Sequence, residues 1–120
     1  MKTIYISGPF SHPDPVHGIP RNILAASEAA LRCCRAGWAV VCPHKNTADF
    51  QHVQDIPYDF WIQMDLELLA RSDAALFLPG WVNSPGAGRE WKYAQELKIP
   101  SFYECNGIPD PAVVAERRVV

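Results

Sequence analysis

The chain has 120 residues, of which 48% are hydrophobic and 20% charged, with a formal net charge of -2. That length predicts one domain, 1–120, with a real core, and the charge carries no basic footprint, which argues against duplex nucleic acid as a partner. No apolar segment approaches the roughly 20 residues that span a bilayer, and the run Met1–Ile6 is too short for a signal peptide, so a cytoplasmic protein without membrane contact is expected.

The cysteines, Cys33, Cys34, Cys42 and Cys105, contain no C-x-x-C pair, and His12, His17, His44 and His52 lack the i, i+4 spacing of a helical zinc site. Free thiols are therefore expected, with no disulfide framework, no metal and no cofactor.

In chain order, Ile4, Tyr5 and Ile6 form a short strand that stops at Ser7-Gly8-Pro9. Phe10 to Pro20, with three prolines, reads as a loop; such a loop after a first parallel strand is where open α/β sheets bind ligands. Arg21 to Ala36 has a helical pattern with Ile23, Ala26, Ala30 and Cys33/Cys34 on one face, and Gly37 is a natural stop. Trp38 to Cys42 is a second strand, which completes a βαβ unit. His44 to Pro57 is irregular, with one helical turn around Thr47 to His52. A helix follows over Tyr58–Arg71, then a third strand over Ala74–Leu78. Ser84 to Glu90 reads as a Gly/Pro loop opening a helix over Trp91–Lys98. Ser101 to Tyr103 is a fourth strand, Asn106-Gly107 a turn, and Pro111 to Arg118 a terminal helix. Together these predict a three-layer flavodoxin/Rossmann-like α/β domain with a parallel sheet of four or five strands.

Two carboxylates stand out on a 3.6-residue wheel. Asp65 falls on the apolar stripe between Trp61 and Leu68, whereas Asp59, Gln63, Glu67 and Arg71 face the other way. Glu90 sits amid Ala87, Trp91, Tyr93, Ala94 and Leu97, with Arg89, Lys92 and Glu96 opposed. An unpaired buried carboxylate costs several kcal/mol. Each could merely cap an amide or meet an arginine, but two on helices flanking one strand point to a paired-carboxylate site. Nucleophile plus acid or orienting group is the arrangement that cleaves glycosidic bonds.

The motifs Tyr5-Ile6-Ser7-Gly8-Pro9, Met64-Asp65-Leu66-Glu67-Leu68-Leu69, Ser72-Asp73-Ala74 and Ser84-Pro-Gly-Ala-Gly-Arg-Glu90 resemble the nucleoside 2-deoxyribosyltransferase superfamily over about Ile4 to Tyr103. They look closest to its 2′-deoxynucleoside 5′-monophosphate N-glycosidase-like branch. The Leu-Pro-Gly-Trp81 segment is similar to uncharacterised, often phage-associated members. The resemblance implies a flavodoxin-like fold, a homodimer or higher homo-oligomer, and a small-molecule nucleoside or nucleotide as substrate. By position, Glu90 matches the nucleophile that attacks the anomeric carbon. Asp65 matches the aspartate that protonates the leaving group or orients the nucleophile, and Tyr5 matches the phenol placed near it. Ser7, Gly8 and Pro9 match the turn where the ligand approaches the main chain.

Six residues before the glutamate, transferases acting on free nucleosides carry an aspartate, but here Ser84 stands there. Its hydroxyl and the amides of Gly86, Ala87 and Gly88 could donate to a 5′-phosphate that a carboxylate would repel. Arg21 and Arg89 are further phosphate candidates, although both also fit solvated faces. The Phe10–Pro20 segment lacks the Gly/Arg-rich phosphate segment of the monophosphate glycosidases, and the tail after Tyr103 matches poorly.

Trp61 and Trp91 fit the core better than a base stack, while Trp81, beside the site, is a candidate base contact. His12 and His17 read as ordinary loop residues, and Asp73 as a cap or turn residue. The expected function is cleavage of a deoxynucleotide or nucleoside N-glycosidic bond, with water or a second base as acceptor. A nucleotide-binding module without turnover is the alternative. A redox or phosphorelay protein fits less well, because the first loop has neither a Ser/Thr-rich phosphate site nor an acidic cluster.

Overall fold

The computed structural model describes residues 1–50 and 52–117. Four parallel strands, β1 (Thr3–Ser7), β2 (Ala39–Val41), β3 (Ala74–Phe77) and β4 (Ser101–Tyr103), lie in the order β2-β1-β3-β4. Register pairs Tyr5 with Val41 on one side and with Ala75 on the other, and Phe77 with Tyr103. The expected sheet of four or five strands thus has four.

Alternation along β1 divides the core. Ile4 and Ile6 face α1 (Gly18–Ala36) and pack with Ala26, Ala29, Cys33 and Leu76. Tyr5 faces α3 (Tyr58–Ala70) and α4 (Pro85–Glu96), among Leu69, Phe77 and Ala94. Both sheet faces are covered, which is the three-layer arrangement expected of parallel strands joined by helices.

Several boundaries differ from the sequence reading. α1 starts at Gly18, not Arg21, because Pro20 occupies its first turn, where the missing N–H is not needed. The face of α1 that is buried consists of Ala26, Ala29 and Cys33, whereas Cys34 is exposed. Gly37 closes the helix in the left-handed region, φ 104°, and its N–H donates to the Cys33 and Cys34 carbonyls. The single turn expected around Thr47–His52 is a 3-10 turn (Ala48–Phe50), and a short α2 (Pro43–Asn46) that the sequence reading lacked precedes it.

The largest difference concerns the Ser84–Glu90 stretch, which is helix rather than loop. Ser84 is the N-cap, its Oγ accepting from the Ala87 N–H at 3.3 Å, and Pro85 takes the first helical position. Two glycines suggest a loop, but the Ser-Pro start and the packing of Trp91, Tyr93, Ala94 and Leu97 against the sheet hold the helix despite about 1 kcal/mol of propensity lost at each glycine. The expected terminal helix is only a 3-10 turn, Pro111–Val113, and Arg118 lies outside the described residues. That tail is tied down at Asp73, whose Oδ2 accepts from the Thr3 N–H at 2.7 Å and whose Oδ1 accepts from the Arg117 N–H at 2.5 Å. Among the described residues, no helix is long and apolar enough to cross a membrane.

Candidate active site

In the order β2-β1-β3-β4 the chain adds β2 on one side of β1 and β3 on the other, and the crevice at the carboxyl ends of the strands at such a switch point is where open α/β sheets bind ligands. A cavity of about 690 Å³ opens there, large enough for a nucleotide-sized ligand. Gly8 and Pro9 beyond β1, Asp65 on α3, and Ser84, Gly86 and Glu90 on α4 all line it.

Tyr5 and Ser7 are two residues apart on β1, so both point to the same face of the sheet, and both reach Glu90. The Tyr5 hydroxyl donates to Glu90 Oε2 and the Ser7 hydroxyl to Oε1, the latter at 2.8 Å. Each oxygen of the carboxylate therefore has its own donor, which fixes the plane of the group.

Burial pushes the Glu90 carboxyl up to about 7; the bonds from Tyr5 and Ser7 oppose this, while the nearby Asp65 charge adds to it. Glu90 is the sixth residue of α4, past its first turn, so the helix N-terminus does little to offset this enclosure. Asp65 is pushed up to about 6, also by burial, and its Oδ1 is buried without a partner. Burial and the Glu90 charge raise the Tyr5 phenol well above its ordinary value, so it acts as a fixed donor. Two carboxyls with elevated proton affinity beside one cavity can serve as an attacking group and a proton source near neutral pH.

The remaining sequence candidates separate clearly. Ala87 lines the cavity and Gly88 does not. The Ala87 and Gly88 amides are already engaged by Ser84, through its Oγ and its carbonyl respectively. The Gly86 amide, on the second helical residue, is the one left to face a ligand, and a Cβ at that position would meet nothing within 4 Å. Arg89 lines the cavity; Arg21 does not.

Trp81 is outside the cavity lining. Its ring stacks on Trp91 with centroids 5.5 Å apart and packs against Phe77 at 5.4 Å, in a cluster on the α4 side of the sheet. His17 pairs with Asp14 at 2.9 Å, and His12 Nδ1 accepts from the Asp14 N–H at 2.9 Å, so both organise their own loop.

The lining also includes Phe10, His44 and Phe50, which carry no site signal in the sequence, and Trp61, which is expected in the core and instead borders the cavity. Phe50 and Trp61 stack with centroids 5.9 Å apart. Aromatic residues in the irregular His44–Pro57 segment were the available hint, since irregular chain at the open end of a parallel sheet commonly carries ligand contacts. The described residues contain no cluster of three or more groups suited to hold a metal ion.

Residues 2–103 match the family described as "Domain of unknown function (DUF4406)", and the chain belongs to it. Its fold is shared by a solved 2-deoxyribosyltransferase from Bacillus psychrosaccharolyticus. The two are 19% identical, with a TM-score of 0.63 over 84% of this chain and 70% of that one. No match was found among curated proteins.

Proposed function

We propose that this protein cleaves the N-glycosidic bond of a 2′-deoxynucleoside 5′-monophosphate, or of the corresponding nucleoside, through a covalent deoxyribosyl–Glu90 intermediate. The observation that carries this reading is the Glu90 carboxylate, held at both oxygens by Tyr5 and Ser7 at the edge of a nucleotide-sized cavity. In the first step a Glu90 oxygen attacks C1′. The C1′–N bond breaks, its electron pair stays on the base, and Asp65 in its protonated form supplies the proton that the departing nitrogen takes. In the second step water, or an N–H nitrogen of another base, attacks C1′, the bond from C1′ to the Glu90 oxygen breaks with its electron pair returning to the carboxylate, and the now ionised Asp65 takes the proton of the attacking group.

Phosphate preference rests on the start of α4. The Ser84 hydroxyl, the Gly86 amide and the Arg89 guanidinium are donors at a helix N-terminus, which favours an anion, and no carboxylate occupies position 84. The shared fold with a 2-deoxyribosyltransferase agrees with sugar transfer chemistry but does not select the acceptor.

Chromatography of a panel of deoxy- and ribonucleosides and their 5′-monophosphates, with and without an acceptor base, tests the reading. Free base should appear from deoxynucleoside monophosphates with wild type and not with Glu90→Ala. Mass spectrometry of the quenched enzyme should find the sugar phosphate on the peptide containing Glu90. Nucleotide binding without any base release would establish a binding module instead.

A further inference from the structure

The wall of the cavity beyond β1 is held by two side chains from different helices. Three successive carbonyls, those of Pro9, Phe10 and Ser11, each accept from a side chain. His44 Nε2 on α2 reaches the Pro9 oxygen at 2.8 Å, and Asn22 Nδ2 on α1 reaches the Phe10 oxygen at 3.1 Å and the Ser11 oxygen at 3.5 Å. A carbonyl only accepts, so Nε2 of His44 carries the proton and the ring is the Nε2–H tautomer. The ring is 5% exposed and meets Phe10 edge-on, with centroids 5.8 Å apart.

The same segment fits closely at its start, where a Cβ on Gly8 would lie 2.8 Å from the Leu78 Cβ. A loop of this kind, rich in proline and devoid of sheet hydrogen bonds past Ser7, has little else to fix its carbonyls. We propose that Asn22 and His44 are positioning residues that clamp Pro9–Ser11 into a preformed substrate-binding wall, so that this segment does not move as a lid. The inference rests on the proposed glycosidic site for its kinetic consequence, but the clamp is a property of the free protein.

Glu90 and its donors Tyr5 and Ser7 belong to β1 and α4, whereas the clamped segment lines the cavity without bonding to that carboxylate. Releasing it should therefore remove binding rather than transition-state contacts. Asn22 does not line the cavity, which makes Asn22→Leu a variant free of direct ligand effects. His44→Leu removes the other bond, and in His44→Gln the side-chain amide can still donate to Pro9.

Hydrogen exchange followed residue by residue, with steady-state kinetics on a deoxynucleoside monophosphate, tests the clamp. Asn22→Leu and His44→Leu should each speed exchange locally at the hydrogen-bonded amides of Asp14 and Gly18, in the loop that continues from this segment, and raise KM about tenfold, with kcat within about twofold. His44→Gln should restore both readouts. Unchanged local exchange, exchange raised uniformly across the sheet, or a loss confined to kcat would each overturn the proposal. If wild type releases no base, the glycosidic reading falls. Exchange in the three variants, together with calorimetric binding of a deoxynucleoside monophosphate, then still decides the clamp.

Discussion

Ser7 and Glu90 are separated by 83 positions in the chain, yet Ser7 Oγ lies 2.8 Å from Glu90 Oε1. With Tyr5 on the other oxygen, the strand supplies both donors and the helix supplies the acceptor. Loss of either donor should weaken the carboxylate form. Tyr5→Phe is expected to move the ascending limb of the pH–rate profile to higher pH, because its hydrogen bond holds the Glu90 proton affinity down. A bond to a charged group is worth roughly 1.5–3 kcal/mol, so kcat/KM at pH 7 should fall about 10- to 100-fold. A limb that stays in place would show that Tyr5 does not tune Glu90.

Asp65 acts in the opposite sense. Its charge raises the Glu90 proton affinity, so Asp65→Asn should shift the ascending limb below its wild-type position near pH 7. The same change removes the proposed proton source, and turnover should drop most for substrates whose bases leave poorly without protonation. Comparing a natural base with a nitrophenyl-type leaving group that needs no proton separates the two effects.

The buried carboxyls also make stability pH-dependent. In the unfolded chain Glu90 ionises near its ordinary 4.5, and in the folded protein near 7. Below 4.5 both states hold the proton and folding bears no penalty. As pH rises through that interval the unfolded chain gives up the proton first, so stability is lost, and the loss is complete above the folded value. Glu90→Gln should therefore gain stability relative to wild type between pH 4.5 and 7. The gain should approach about 3 kcal/mol as an upper bound, measured as the difference between two urea denaturation series. A difference that does not change with pH would refute enclosure as the cause.

Gly86 offers a test of anion binding that leaves the chemistry alone. A Cβ there meets nothing within 4 Å, so Gly86→Ala should stabilise α4 by roughly 0.5–1 kcal/mol. The methyl group would crowd the one amide left facing the ligand. KM should rise for 5′-monophosphates and stay near wild type for free nucleosides; equal effects on both would remove the phosphate assignment.

Lys98 has φ 58°, the one left-handed non-glycine among the described residues, just beyond the end of α4. Lys98→Gly should relieve that strain and raise stability by about 0.5–1 kcal/mol, less than the full left-handed cost because glycine also loosens the unfolded chain. Thermal unfolding monitored by circular dichroism reads the change.

Much of the fold was legible because alternation and punctuation agree. Ile4, Tyr5 and Ile6 alternate between two faces, and Gly37 marks the end of α1 where a left-handed residue is needed. Asp65 and Glu90 were legible as anomalies, since charged residues on apolar helical stripes contradict the pattern around them. What misled was local chemistry with two meanings. Pro20 fits both a loop and the first turn of a helix, and the glycines of Ser84–Glu90 mask a Ser-Pro helix start. Trp81 is adjacent to the site in sequence but buries its ring among other aromatics, a choice made by packing against Phe77 that no local pattern encodes. The pairing of Asn22 and His44 with three loop carbonyls is likewise a tertiary relationship, invisible without the helices in place.

Asp73 joins the first residue of β1 to the backbone of Arg117, whose guanidinium also donates to the Ala70 and Ser72 carbonyls. The opening strand and the closing segment are thus moored to one carboxylate, on the side of the sheet away from the cavity. A circular permutant that splices these segments through a short flexible linker, with new ends cut at the exposed Asn106-Gly107 turn, should keep the sheet order and leave the cavity intact.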